Sequence, residues 1–221
     1  MPEVALTFDD GPHPRWTREI LRVLSETANV PATFFVWGEQ GLEHREVIAE
    51  TLRAGHSVQP HCWRHIAHWD LDAAEIRADI DRVTALLAEL GAPAPHMWRP
   101  PWGRLRTTES RRIAEERGLE LAGWTADSHD WVGHPGDELY AGVKARIATA
   151  RNEPAVVLMH DSFVEARQAR HRSDCAGTVE LVRRLIDDEA LTFAPLRHGL
   201  SDNLTEPPDL PASGTEPRGP G

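Results

Sequence analysis

Short apolar runs alternate along this chain with longer stretches in which apolar residues recur every three or four positions. The runs Val4–Phe8, Ala32–Val36, His56–Gln59, His96–Trp98, Leu119–Trp124, Ala155–His160 and Leu191–Leu196 read as strands. Amphipathic patterns near 15–27, 43–54, 72–90, 107–117, 137–150 and 178–188 read as helices. The third is the clearest, with Ile76, Ile80, Val83, Leu87 and Leu90 at helical spacing. Asp72 and Glu75 form a capping-box start for it, and Gly91 a stop; Gly55 and Gly118 stand just past two other helices. Strand–helix alternation predicts a parallel sheet with helices outside it. Seven strands and six helices fit an α/β fold in which a single layer closes, or nearly closes, into a barrel. Beyond about Gly199 the chain turns to Pro, Gly, Ser, Asp and Glu, so one domain over 1–200 and a disordered tail over 201–221 are expected.

Composition narrows the class. The chain has 221 residues, 40% hydrophobic and 27% charged, a soluble globular mixture sized for one domain. No apolar run approaches the roughly 20 residues that span a bilayer. A net charge of -11 disfavours nucleic acid and anionic membrane as partners, and no protein partner is implied. Met1, Pro2 and Glu3 lead straight into the first strand without a signal-peptide pattern, so a cytoplasmic location is expected. Cys62 and Cys175 are too few for a disulfide framework and read as buried or loop thiols.

The chemically unusual residues collect at strand ends. Asp9, Asp10 and His13 follow the first strand, His61 and His65 the third, and Arg99 the fourth. Asp127, His129 and Asp130 follow the fifth, and His160 and Asp161 end the sixth. In a parallel barrel the C-terminal ends of all strands open on one face, where active sites are built. His61 and His65, four apart, share one side of a helical turn and suit two ligands of one metal, unless they are surface histidines. Two histidines and a carboxylate leave metal positions open for water and substrate. Thr7-Phe8-Asp9-Asp10-Gly11-Pro12 is either a turn or the source of that carboxylate, with its neighbour free to take a proton. Arg99 would keep such a base ionised, and His160, after Val156–Met159, is better read as a general acid than as a core histidine.

Taken in order, these segments resemble the polysaccharide deacetylases of carbohydrate esterase family 4, which carry the NodB homology domain. The resemblance covers roughly residues 3–198. Thr7–Pro12 is similar to the family's TFDDGP motif, which implies that Asp9 is the catalytic base and Asp10 a metal ligand. Gly55 through His65 resembles the second motif, whose histidines, here His61 and His65, complete the metal site. Arg99-Pro100-Pro101-Trp102-Gly103 resembles the third, in which Arg99 orients the base while the Trp102 ring lines the groove and its backbone N–H is offered to the oxyanion. Asp127–Trp131 resembles the fourth, with Asp130 supporting and Trp131 in the groove. Leu158-Met159-His160 resembles the fifth, with Leu158 lining the acetyl pocket and His160 the acid.

The resemblance implies a distorted, NodB-like (β/α) barrel with one divalent metal, zinc foremost and cobalt or manganese as alternatives. It implies removal of the acetyl group from an N-acetylated amino sugar, an oligosaccharide or a soluble sugar intermediate, with release of acetate. Two other readings stand beside it: hydrolysis of another non-peptide C–N bond, in a formamide, cyclic imide or acylated small amine, and non-catalytic carbohydrate binding. The chain departs from the family pattern at Cys62, usually Ser or Thr, and at Pro60, usually Asn. Ser162–Ala176 is longer than the pattern suggests and carries Arg167, Arg170, His171 and Arg172, so it is either a solvated loop or a lid that meets an anionic group.

Overall fold

A computed structural model describes residues 1–27, 30–150, 154–163, 174–200 and 204–205. Its elements run β1 (Glu3–Asp9), α1 (Trp16–Ser25), β2 (Ala32–Trp37), α2 (Gly38–Glu43), α3 (Arg45–Arg53), β3 (Ser57–Cys62), α4 (Ala73–Glu89), β4 (Met97–Trp98), α5 (Thr107–Glu116), β5 (Glu120–Leu121), β6 (Ala126–Asp127), α6 (Gly136–Thr149), β7 (Ala155–His160), α7 (Ala176–Ile186) and β8 (Thr192–Phe193). Among the described residues every strand pairing is parallel.

Five strands lie in the order β3-β2-β1-β7-β6, and β8 takes Glu3 and Val4 of β1 on the edge that β2 takes from Leu6 onward. β4 and β5 form a separate pair. A side chain bridges the two pieces: Gln59 Oε1 accepts from the backbone N–H of His96 and of Met97, each at 3.1 Å. The parallel α/β arrangement is as the sequence predicts, and the ladder does not continue from β3 to β4.

Alternation along β1 explains both layers of the core. Val4, Leu6 and Phe8 face outward into a cluster with Ile20, Val23 and Leu24 of α1, Leu139, Val143 and Ile147 of α6, and Leu181, Val182 and Leu185 of α7. Ala5 points the other way and packs with Phe35, Met97, Ala122, Val156 and Leu196. Because side chains alternate with period two, Thr7 and Asp9 share that inner face. Burial on both faces is why the strands read as near-continuous apolar runs.

Two expectations need correction. The run Leu119–Trp124 is not one strand: β5 ends at Leu121, and the chain then leaves β4 to pair with β7 as β6. Between them the carbonyls of Ala122 and Gly123 turn to the Arg99 guanidinium instead of a ladder. Helix α2 was not expected, since Gly38 and Gly41 weaken helical propensity. Their missing side chains let α2 approach the Trp63 ring at Gly38 and Val36, Ile48 and Leu86 at Gly41.

The capping box on α4 is present: Asp72 Oδ1 accepts from Ala74 and Glu75 N–H at 2.8 Å, and Glu75 Oε2 accepts from Asp72 N–H at 2.8 Å. No described helix is long and apolar enough to cross a membrane. Within the stretch read as a tail, Leu204 packs against Trp98 and Leu121, and Thr205 pairs with the backbone around Arg104; the rest lies outside the described residues. Arg167, Arg170, His171 and Arg172 also lie outside them. Cys62 and Cys175 are both buried and not disulfide-bonded.

Candidate active site

Asp9 closes β1 and Asp10 follows it with φ 73°. In a continuing strand adjacent side chains point to opposite faces. The left-handed turn at Asp10 instead leaves both carboxylates at the mouth, aimed at different partners. Asp10 Oδ1 lies 3.2 Å from His61 Nε2 and 3.2 Å from His65 Nε2. Despite those distances this buried oxygen is in no hydrogen bond. The three ligand atoms lie within 4.8 Å of one another. Two ligands of a tetrahedral ion at about 2.0–2.1 Å would sit about 3.3 Å apart. An unbonded carboxylate oxygen at that spacing from two imidazole nitrogens fits a cation between them.

The His61 tautomer agrees with that use. His61 Nδ1 is 2.6 Å from the Arg99 carbonyl, which can only accept, so the proton sits on Nδ1 and the Nε2 lone pair faces Asp10.

The route by which His65 arrives differs from the helical turn read from its spacing. His61 lies in β3, and the chain bends at Trp63 and Arg64 before His65. Asp79 of α4 fixes that bend, its carboxylate accepting from Trp63 N–H at 2.5 Å and Arg64 N–H at 2.9 Å. The His65 ring then meets the edge of Trp102, centroids 4.1 Å apart.

Asp9 has a different partner. Its Oδ1 accepts from Arg99 Nη1 at 2.8 Å, and the Arg99 side chain is fully buried. Arg99 Nη1 also donates to Thr7 Oγ1 at 2.9 Å, Nε to the Ala122 carbonyl at 2.9 Å, and Nη2 to the Gly123 carbonyl at 2.8 Å. Four of the five donors of a guanidinium are thereby used. The group lies over the Phe35 ring, 4.2 Å from its centroid. Such a fork fixes the carboxylate's orientation as well as its charge.

Across the mouth His160 is the register partner of Asp9 between β7 and β1. Its Nδ1 is 2.7 Å from Asp130 Oδ1, and its backbone N–H donates to Asp130 Oδ2 at 2.8 Å. Thr178 of α7 adds a third bond, Oγ1 to Asp130 Oδ2 at 2.8 Å. Burial pushes the imidazole down, but Asp130 first, then Asp10 and Asp9, raise it to about 10. It is held protonated, as a proton donor requires.

Among the described residues the non-glycine positions with positive φ are Asp10, Trp102 and His129. Left-handed backbone costs an L-residue roughly 1–2 kcal/mol, and all three occur in the segments that build this mouth. Trp102 and Trp131 are half-exposed, at 46% and 49%, while Leu158 is buried on β7. The reading from sequence missed Asp79 and Thr178, and it placed Asp161 at the rim without a role. Asp161 Oδ2 accepts from Thr17 Oγ1 at 2.5 Å, and burial raises its carboxyl to about 7. A Cβ on Gly11 would overlap that carboxylate, so only glycine fits there.

Comparison with known proteins gives this geometry a context. A peptidoglycan-N-acetylglucosamine deacetylase of Listeria monocytogenes is 32% identical over 72% of the chain, which spans about a third (32%) of that relative's length. A chitooligosaccharide deacetylase of Bradyrhizobium is 31% identical over 82% of this chain and 80% of its own. A solved peptidoglycan N-acetylglucosamine deacetylase, bound to an N-hydroxybenzamide, superposes with a TM-score of 0.75 at 27% identity, covering 88% of this chain and 86% of its own. The family model described as polysaccharide deacetylase matches residues 1–122, and it is to the polysaccharide deacetylase family that the chain belongs.

Proposed function

We propose that the protein hydrolyses the acetamide of an N-acetylated amino sugar, releasing acetate and a free amine. The observation that carries this reading is the separation of tasks among close carboxylates. Asp10 turns to two imidazoles, Asp9 to Arg99, and Asp130 to His160. A divalent cation held by Asp10, His61 and His65, zinc by its nitrogen-rich ligand set, supplies Lewis acidity toward the carbonyl and makes water more acidic.

Asp9, kept ionised and oriented by Arg99, takes the proton from the attacking water. The oxygen then bonds to the carbonyl carbon while the Trp102 N–H faces the charge developing on the carbonyl oxygen. His160, held protonated by Asp130, delivers its proton to the leaving nitrogen as the C–N bond breaks. Leu158 packs against the acetyl methyl, and the exposed rings of Trp102 and Trp131 take sugar faces. The experiment is acetate release from N-acetylglucosamine oligomers alongside metal content. Acetate release that tracks bound metal is expected. Turnover of formamides, cyclic imides or acylated small amines, with none of the sugars, would move the reading to another C–N bond.

A further inference from the structure

Asp161 is buried at the mouth and takes no part in the chemistry derived above. Its Oδ2 accepts from Thr17 Oγ1 at 2.5 Å, while Oδ1, also buried, is in no hydrogen bond among the described residues. An interior acid with an unpartnered oxygen costs stability, because nothing replaces the hydration it has lost. An apolar side chain would fill the space at less cost, so the acid is kept for what its oxygens hold.

Its contacts converge on one short turn. Asp161 N–H donates to the Asp9 carbonyl at 3.2 Å, just before the left-handed residue Asp10. The carboxylate lies against Gly11, where an added Cβ would be 2.1 Å from Oδ2 and 2.3 Å from Oδ1. Thr17 Oγ1, which donates to Asp161, in turn accepts from His13 N–H at 2.8 Å. From outside this set, Trp37 N–H donates to the Gly11 carbonyl at 2.9 Å. The turn 9–13 is therefore gripped at Asp9, Gly11 and His13, and Asp161 takes part in all three grips.

Both posts of this clamp are fixed by the core. Thr17 lies in the first turn of α1, whose Ile20, Val23 and Leu24 pack with Leu181, Val182 and Leu185 of α7. Asp161 directly follows β7, which pairs with β1 from Val4 to Asp9. A left-handed non-glycine residue persists only where its surroundings over-determine it. Here that residue is Asp10, whose carboxylate oxygen stands 3.2 Å from both imidazoles.

We propose that Asp161 and Thr17 are positioning residues for the metal centre: joined by their hydrogen bond, they hold the 9–13 turn so that the Asp10 carboxylate converges with His61 and His65. They act through Asp10, not on the metal. The inference rests on the reading of Asp10, His61 and His65 as metal ligands, so the clamp is tested with and without metal.

The full chain is stripped of metal and titrated with zinc against a competing chelator, with folding checked by circular dichroism. Thr17→Val, which keeps the shape and loses the hydroxyl, should raise the zinc Kd by about tenfold, as loss of a supporting partner does at metal sites. Thr17→Ser keeps the hydroxyl and should stay within about twofold of wild type. Asp161→Ala should weaken zinc at least as much as Thr17→Val. Adding Thr17→Val to Asp161→Ala should cost no more than about twofold further, since both changes break one link. In the metal-free chain the turn is read at Trp37 N–H, which bonds to Gly11 and to neither clamp residue. Its hydrogen exchange, followed by NMR, should quicken in Thr17→Val while amides in the middle of β1 keep their rates. A folded Thr17→Val whose zinc Kd stays within about twofold of wild type overturns the proposal, even if its exchange is faster or its urea midpoint lower. Losses that multiply in the double variant overturn it as well. A wild-type chain that takes up no zinc, with exchange at Trp37 still faster in Thr17→Val, would keep the clamp and reject the metal reading instead; unchanged exchange in such a chain rejects both.

Discussion

Asp130→Asn isolates the anion that most directly holds the proton on His160. His160 rises from 6.5 to about 10 against the opposing effect of burial, which corresponds to about 5 kcal/mol in favour of the imidazolium. Asp130 is the leading source, through its charge and its 2.7 Å contact with Nδ1, followed by Asp10 and Asp9. A cation held at Asp10 neutralises that carboxylate's share, which leaves Asp130 as the main support in the loaded enzyme. The amide keeps the shape but offers one acceptor oxygen where Asp130 uses two, and it removes the charge.

The sign follows. Without the anion the pKa of His160 falls, the protonated form that donates to the leaving amine is lost at lower pH, and the alkaline limb of kcat/KM moves toward neutrality. A fall to its ordinary value would leave His160 about 3% protonated at pH near 8, a loss of about thirtyfold there. The acidic limb belongs to another group and should stay in place. The assay is kcat/KM for acetate release from about pH 6 to about pH 10, with circular dichroism and metal content recorded on the same samples. A folded, metal-replete variant whose alkaline limb stays within about half a unit of wild type would refute the assignment of His160 as the acid.

Three further outcomes are expected. Asp9→Asn should keep its metal and lose turnover by about a thousandfold or more, whereas Asp10→Asn should lose the metal itself; mass-spectrometric metal content beside activity reverses the roles if the pattern is inverted. Arg99→Lys cannot reproduce four hydrogen bonds from one planar group, and breaking a buried pair costs about 3–5 kcal/mol, so urea unfolding should show a loss of that order. In metal-free protein Asp161, raised from 3.8 to about 7, binds a proton more tightly folded than unfolded, so its contribution declines as pH rises from about 4 to about 7, by up to about 4 kcal/mol. Asp161→Asn should remove that slope, and parallel stability curves for variant and wild type across the window would contradict it.

Six of the site residues were readable from sequence because a parallel sheet makes position along the chain equivalent to position in space. Asp9, Asp10, His61, Arg99, Asp130 and His160 each lie at or just beyond the C-terminal end of a strand or in the turn after it, and all such ends share one face. What that logic does not carry is the partner of a backbone group. Asp79 looks like one more acid on the polar side of α4, between Ile76 and Ile80; nothing in the pattern records that it catches the N–H groups of Trp63 and Arg64 and so turns His65 toward Asp10. Thr178 is hidden for the same reason, and so is the partner of Asp161, since each bonds to a residue far away in sequence, Asp130 and Thr17.

The split of Leu119–Trp124 is the instructive failure. Its apolar residues do mark buried backbone, which is all that periodicity reports. Which neighbour that backbone bonds to is decided by Arg99, whose guanidinium takes the carbonyls of Ala122 and Gly123 while the chain passes from β4 to β7. A buried cation needs those acceptors, because a guanidinium without them would carry unsatisfied donors in the core. The same side chain that orients the Asp9 carboxylate therefore also breaks the strand. The irregularity of the sheet at this point and the fixed orientation of the Asp9 carboxylate have one physical cause.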